Sequence, residues 1–489
     1  MSGGNFDQVN LSIIGIAAEY PPFKHESTVL DKLAKLYYPE SAALDKVRMI
    51  NRYTGIESRS AIVADDFPLV NMKRAPNISE LSAEFLTKGV ALAVAAARKA
   101  LQEAQTSVSE ITHIVSTTCT NSANPGFDHF VCKELGISQP VEKVLLQGIG
   151  CSGGLAALRT AANLALGHTY RGLPARVLVV ALDICSLLIR SELDSIVELE
   201  EARIGVTLFS DCGSSLVLSN GLGHQTAEPV YELLGWDHRV IPDSDKDLRF
   251  DAHPNGWKVV LSPQVPKLTC GVVKPGFDVL MKSIPNLPPN YKEPSDFDWA
   301  LHPGGSLILT GVEKEMNLSS EHLRASYDIY MNHGNSSSPT VLAVLSRLRD
   351  KDMDGYAPGG KVKDFVFSAS FGPGITVETC LLKRNLNRVA RNSRTIGHIT
   401  PPETESEGSR SEADDIESES NSPKEATDFE AQREASITEQ LNKTPVKVTP
   451  SATTLQATLN HPLADTTKID FVSDEGHNLA DALESADLD

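Results

Sequence analysis

No stretch of the 489-residue chain stays apolar long enough to span a bilayer, so no membrane span is expected. The first residues lack the basic-then-apolar pattern of a secretory leader. Cysteine is sparse: seven residues, odd in number, widely spaced and without a CxxC pair. A disulfide framework or a thiolate metal site is therefore not expected, and the chain reads as a reduced, cytoplasmic protein with no bound metal. Strongly basic segments are missing, which removes the footprint of a nucleic-acid binder. The net charge is −19, but −15 of it falls in residues 401–489, where 21 acidic residues face 6 basic ones. The acidity belongs to that tail and does not identify a ligand for the rest.

What is present is a long chain with 41% hydrophobic residues, enough for two core units or one duplicated domain. Strands are expected at Leu11–Ala17, Ile114–Thr118, Val177–Ala181, Leu216–Leu218, Trp299–Leu301 and Phe365–Ser368. Helices are expected at Glu80–Glu103, Gly153–Leu166, Ser306–Glu315 and Thr340–Leu348. Such alternation indicates an α/β fold. From residue 387 to 489 the composition turns acidic and Ser-rich, and a disordered tail is expected. Apolar positions near its end, such as Ile469 and Phe471, could make a transient docking helix, but an inert tail is the simpler reading.

The chain is organised around LLQGIGCSGGLAALRTAANLAL (145–166). An apolar strand end runs into two glycines, and Leu155, Leu158, Ala162 and Leu166 follow at helical spacing. Cys151 thus sits at a strand-to-helix turn, where free backbone N–H groups and the helix dipole favour a thiolate. A small buried cysteine packing a turn is the plain alternative. His302 follows the apolar run Trp299–Leu301, with Pro303 barring a helix and Gly304 and Gly305 opening the turn. Asn335 lies in NHGNSSSP, where an ordinary turn residue is the plain reading, and His333 competes as a candidate. The segments 147–161 and 332–348 share an outline: glycine turn, one polar residue, small residues, apolar helix. A duplicated fold would bring those two helix starts together and give Cys151 and Asn335 corresponding places. A Cys, a His and an Asn form a coherent chemical set. Imidazole beside thiol gives a thiolate–imidazolium pair. An uncharged amide donor holds a thioester oxygen as charge develops, and would not repel the carboxylate of a malonyl thioester losing carbon dioxide.

These motifs in order resemble the type III polyketide synthases, the chalcone-synthase-like branch of the thiolase superfamily. GCSGG carries Cys151, HPGG carries His302, GNSSS carries Asn335, FGPGITVE (371–378) matches the Gly-Pro-Gly loop, and LFSDCGSS (208–215) matches the segment with a gatekeeper Phe209. The resemblance implies a thiolase-like, duplicated αβαβα layered fold. Residues 1–225 would form the half with the nucleophilic cysteine and 226–386 the half with His302 and Asn335. It further implies an acyltransferase that loads an acyl-CoA starter on Cys151 and extends it iteratively with malonyl-CoA. No carrier protein or cofactor beyond CoA thioesters is implied, and a homodimer is. CoA phosphates would meet Lys46, Arg48 and Arg52, near Gly304 and Gly305.

Departures concern the pocket. Cys119 and Cys185 stand where plant members carry small hydroxyl residues, and Cys270 where they carry a second gatekeeper Phe, a loss expected to widen the cavity. With Phe250 and Ser337 these substitutions resemble the fungal branch, which takes long fatty acyl starters and makes alkylresorcinols, alkylresorcylic acids or alkylpyrones. The alternatives are a single-round condensing enzyme of the ketoacyl synthase III kind, a non-catalytic thiolase-fold interaction protein, and a cysteine hydrolase.

Overall fold

The computed structural model describes residues 9–388, apart from 138–139, 224–226, 255 and 285. The tail expected to be disordered lies, from residue 389 on, outside the described residues. Thirteen strands occur among them: β1 (Leu11–Glu19), β2 (Phe23–His25), β3 (Arg59–Ala61), β4 (His113–Thr117), β5 (Glu142–Leu146), β6 (Arg176–Ile184), β7 (Asp211–Ser219), β8 (Tyr231–Val240), β9 (Leu248–His253), β10 (Gly256–Leu261), β11 (Asp298–Leu301), β12 (Phe365–Gly372) and β13 (Thr376–Arg384). Nine of them pair in the order β11-β12-β13-β8-β1-β7-β6-β4-β5, while β2–β3 and β9–β10 form separate ribbons. Strands β6, β7 and β12 are buried along their whole length, which explains their near-continuous apolar and small side chains.

The sheet has matching ends. On one side β4 and β6 run parallel and are followed by antiparallel β7 and then β1. On the other, β11 and β12 run parallel and are followed by antiparallel β13 and then β8. The two arms meet where β1 pairs antiparallel with β8, Ile13 opposite Tyr231. The helix Gly153–Tyr170 lies between β4 and β6 in the chain, and the helix Thr340–Leu348 between β11 and β12, so the two occupy equivalent places. Both fill one core with strands of both arms, through Leu155, Leu158, Val341 and Leu345 against Val179, Val115, Ala300 and Val366. A second core backs one arm with the helix Val90–Glu103, and a third backs the other with the helices Val265–Ser283 and Ser306–Met316. Helix, sheet arm, helix pair, sheet arm, helix is the layered order expected. The helix starts abut: a Cβ on Gly154 would lie 2.5 Å from the Ser338 carbonyl oxygen.

Two expectations are refined. The single helix foreseen over Glu80–Glu103 is an α-helix Ile78–Glu84, capped by Asn77 and Glu80, a π-turn Phe85–Gly89, and an α-helix Val90–Glu103. Strands β8 and β13 went unforeseen because charged residues interrupt their apolar pattern. One reason for a charge there is visible. Glu378 on β13, buried, accepts both prongs of Arg159 from the helix Gly153–Tyr170 at 2.8 and 2.7 Å and faces His238 of β8 at 2.7 Å. No helix among the described residues is long and apolar enough to cross a membrane.

Arg159→Met removes two of the three bonds just described and leaves that buried carboxylate to His238. It is expected to lower unfolding free energy by about 3 kcal/mol in a urea titration; a loss under about 1 kcal/mol would show that the pair does not tie helix to sheet.

Candidate active site

The nucleophile turn is held from two sides. After β5, the chain turns through Gly148 and Gly150, both at positive φ, into a single 3₁₀ turn Gly150–Ser152 and then the helix Gly153–Tyr170. The Ser152 hydroxyl donates back to the Ile149 carbonyl at 3.1 Å. The Gly372-Pro373-Gly374 loop at the end of β12 lies directly on this turn. A Cβ on Gly372 would collide with the Ile149 carbonyl and the Ser152 hydroxyl, so only glycine permits the contact.

Cys151, half-buried, has the Ser337 and Asn335 side chains near enough to favour its thiolate. Asn335 is fixed by backbone pairing beside Phe209: its N–H donates to the Leu208 carbonyl and its carbonyl accepts from Ser210 N–H. Its Oδ1 accepts from Ser337 N–H at 2.8 Å, and its Nδ2 donates to the Gly304 carbonyl at 3.3 Å, a long bond readily exchanged for a better acceptor. His302 follows β11, its N–H donating to the Ala369 carbonyl at 2.8 Å. Its ring lies against Gly304, and both ring nitrogens are buried without a hydrogen-bond partner among the described residues. Asn335 links the other two: its side chain lies near enough to Cys151 to favour the thiolate, and it donates to the carbonyl of Gly304, against which the His302 ring lies.

Burial governs the electrostatics. It pushes the Cys151 thiol up to about 11, against the pull of hydrogen bonds from Ser337 and Asn335. It pushes the His302 imidazole down to about 3. Neither group ionises alone at neutral pH. The thiolate–imidazolium pair expected from the sequence would require moving the proton from sulfur to imidazole. The helix N-terminus does not by itself make Cys151 a thiolate.

A residue that sequence reasoning missed holds the chamber walls. Asp183 at the end of β6 is fully buried and accepts from Thr118 Oγ1, Cys119 N–H, Thr120 Oγ1, Ser338 N–H and Ser338 Oγ, at 2.5–3.2 Å. It ties the Cys119 turn of one arm to the Asn335–Ser338 turn of the other. The signal was an acidic residue inside the apolar run VVALDIC, where only a fully bonded carboxylate is tolerated.

The remaining expected site residues divide. The Cys119 sulfur and Ser337 hydroxyl lie 3.4 Å apart at the chamber, and Cys185 is close enough to Cys119 and Cys151 for their charges to interact. Cys185 and Phe209 line an apolar cavity with Leu30, Val63, Leu188 and Val206. Glu192, also missed, lines the same cavity; burial raises its carboxyl to about 7, and its Oε2 has no partner among the described residues. Phe250 stacks on Trp257 at 5.5 Å beside Val259, another wall residue. Cys270 is placed differently: its thiol packs over Gly311 and the Ile308 carbonyl, in the contact between the helices Val265–Ser283 and Ser306–Met316. His333 turns away from the chamber, stacking on Tyr20 at 3.6 Å and bonding Ser60.

Lys46, Arg48 and Arg52 lie on the helix Ala42–Tyr53, whose end reaches the Gly304–Gly305 turn through Tyr330, bonded to both the Thr54 carbonyl and Ser306 N–H. Arg48 is already engaged by Asp31 and Asp45, at 2.9 and 3.1 Å, because the sequence face that reads as basic meets acidic neighbours. Lys46 and Arg52 are exposed, although Arg52 also pairs with Asp31 at 3.3 Å.

If the proton leaves Cys151 for His302, then His302→Gln slows Cys151 alkylation by iodoacetamide at neutral pH by at least about a hundredfold. Rates per cysteine by peptide mass analysis test this; identical rates for variant and parent would contradict it.

Comparison with known proteins agrees with this geometry. The N-terminal domain of chalcone and stilbene synthases matches residues 23–221 and the C-terminal domain of the same family residues 233–385. Acylalkylpyrone synthase csyB of Aspergillus oryzae is 38% identical over 379 residues, 77% of this chain and 94% of that protein. Type III polyketide synthase pspB of Penicillium soppii is 38% identical over 391 residues, 76% and 96% of the two chains. Among solved structures, a type III pentaketide synthase from Neurospora crassa is 58% identical with a TM-score of 0.76, covering 77% of this chain and 100% of its own. CsyB complexed with CoA-SH is 37% identical, TM-score 0.73, with the same coverage. Enzymes of this kind are acyltransferases that use CoA thioesters and need no other cofactor. The fold is thiolase-like, and the chain belongs to the type III polyketide synthases, with fungal alkylpyrone-forming enzymes among its relatives.

Proposed function

We propose that this synthase takes a long-chain fatty acyl starter from CoA onto Cys151, extends it over several rounds with malonyl-CoA, and closes the product to an alkylresorcinol, alkylresorcylic acid or alkylpyrone. The observation that carries the reading is the buried His302 ring with both nitrogens unpartnered, beside an Asn335 amide that also reaches the Cys151 sulfur. Cys151 gives its proton to His302 and attacks the acyl thioester; CoA leaves as its thiol, taking that proton back. The neutral imidazole N–H and Asn335 Nδ2–H then grip the carbonyl oxygen of malonyl-CoA. As the C–CO₂ bond breaks, its electron pair is held as an enolate on that oxygen. The enolate carbon attacks the Cys151 thioester and frees the thiolate for the next round. Excluding charged groups from the donor pair keeps the malonyl carboxylate from being repelled or anchored.

The starter's tail fits the cavity beyond Cys185 and Phe209. At rest that cavity is small, about 70 Å³, so a long tail enters by parting Leu30, Val63 and Val206. The name of the Aspergillus oryzae relative favours pyrone closure. Lys46 and Arg52 offer charge for CoA phosphates, and Gly304 and Gly305 give the thioester arm a path past His302. The equal connectivity of the two sheet arms supports reading residues 1–225 and 226–386 as two halves of a duplication. A cytoplasmic homodimer completes the reading.

A panel of acetyl-, hexanoyl-, palmitoyl- and p-coumaroyl-CoA with malonyl-CoA, products resolved by mass, tests it. The expected result is several two-carbon extensions, kcat/KM for palmitoyl-CoA at least about tenfold above the aromatic starter, and no product from a folded Cys151→Ala. Preference for the aromatic starter, a single extension, or product from Cys151→Ala would overturn the corresponding assignment.

A further inference from the structure

We propose that His113, Glu142 and His168 form a binding site for one divalent transition metal ion, with Zn²⁺ the best match, at the end of the sheet opposite the catalytic chamber. His113 opens β4 and Glu142 opens the parallel neighbour β5, where they are register partners. The helix Gly153–Tyr170 runs back from the chamber and delivers His168 in its last turn to the same place. The two imidazole rings stand 4.5 Å apart, edge to face at 70°, and the Glu142 carboxylate lies 3.7 Å from His113 Nε2. One ligand atom from each of the three residues lies within 4.8 Å of the other two.

The hydrogen bonds decide which nitrogens carry protons. Thr112 Oγ1 donates its single proton to the Arg176 carbonyl at 3.1 Å and accepts from Arg176 N–H at 3.0 Å. With its proton used there, Oγ1 accepts from His113 Nδ1, 2.8 Å away, and in that tautomer Nε2 carries the lone pair. His168 Nδ1 faces the Pro174 carbonyl at 3.0 Å, so it too is N–H and Nε2 is left with the lone pair. Two imidazoles and a carboxylate thus turn ligand atoms toward one another in one place. A metal cation resolves the arrangement. Fixing each ligand ring through its second nitrogen is how metal-binding histidines are oriented elsewhere. Two imidazoles and a carboxylate suit Zn²⁺ over Mg²⁺ or Ca²⁺, and exposed Glu142 leaves the fourth position to water.

Strand β4 runs from His113 to Thr117, about 13 Å at roughly 3.3 Å per residue, before the chain bends at Cys119. The ion is thus remote from the condensation, which needs none. Its effect is on the helix that carries Cys151 at its other end: it pins the last turn to the sheet. The cysteine pattern that argued against a metal was silent here, because these ligands come from three segments with no spacing motif.

The test uses the full-length protein, stripped with EDTA and dialysed, titrated calorimetrically with ZnCl₂ and, as a control, MgCl₂. The expected result is one Zn²⁺ per chain at about micromolar Kd or tighter, no Mg²⁺ binding, and a rise in Tm with Zn²⁺. His168→Asn and Glu142→Gln, both at partly exposed positions, should each weaken binding at least about tenfold and abolish the Tm rise while circular dichroism stays unchanged. CoCl₂ in place of ZnCl₂ should give visible d–d bands without a sulfur-to-cobalt charge-transfer band. A thiolate band would place the ion at the Cys119–Cys151–Cys185 cluster and overturn the proposal. So would binding that both variants leave intact, or no binding at 100-fold the expected Kd.

Discussion

Keeping His302 buried with neither nitrogen hydrogen-bonded is the constraint on which the rest of this structure depends. Each unsatisfied buried polar group costs about 1–3 kcal/mol. The fold tolerates that cost because everything around the ring is over-determined. Its strand is locked to β12 through the His302 N–H bond to Ala369. The Gly372-Pro373-Gly374 loop clamps the Cys151 turn. Asp183, with five donors, ties together the two turns that bring Cys119 and Ser338 to the chamber. The imidazole and the loosely bonded Asn335 amide are then left with hydrogen-bonding capacity to spare. Pre-organised donors of this kind need no rearrangement when charge develops.

The duplication explains how three residues so distant in sequence meet. Two equivalent helices, Gly153–Tyr170 and Thr340–Leu348, start against one another, so whatever precedes each start shares one space. One start supplies a thiol and the other an amide. His302 enters from the strand next to the second helix. The arrangement uses the symmetry of the backbone and breaks it in the side chains.

The strand and helix framework was legible where one chemical pattern dominated, as at Leu11–Ala17 or Thr340–Leu348. It was not legible at β8 and β13, where His238 and Glu378 serve tertiary pairing with Arg159. Cys151, His302 and Asn335 stood out as candidates because glycine turns and helix starts mark them locally. Partners that exist only in three dimensions could not. Arg48 reads as a free cation until Asp31 arrives from another helix. Cys270 reads as a pocket residue until Gly311 is seen beneath it. Glu192 reads as the polar face of a helix until its unpaired oxygen is found in an apolar cavity.

The central claim is that a single sulfur carries the growing chain inside this chamber. Intact-protein mass analysis after mixing with palmitoyl-CoA, malonyl-CoA withheld, tests it most directly. The account predicts a gain of one acyl group, removable by hydroxylamine and mapped to the peptide holding Cys151. Acylation at Cys119 or Cys185 instead, or no covalent adduct, would contradict it.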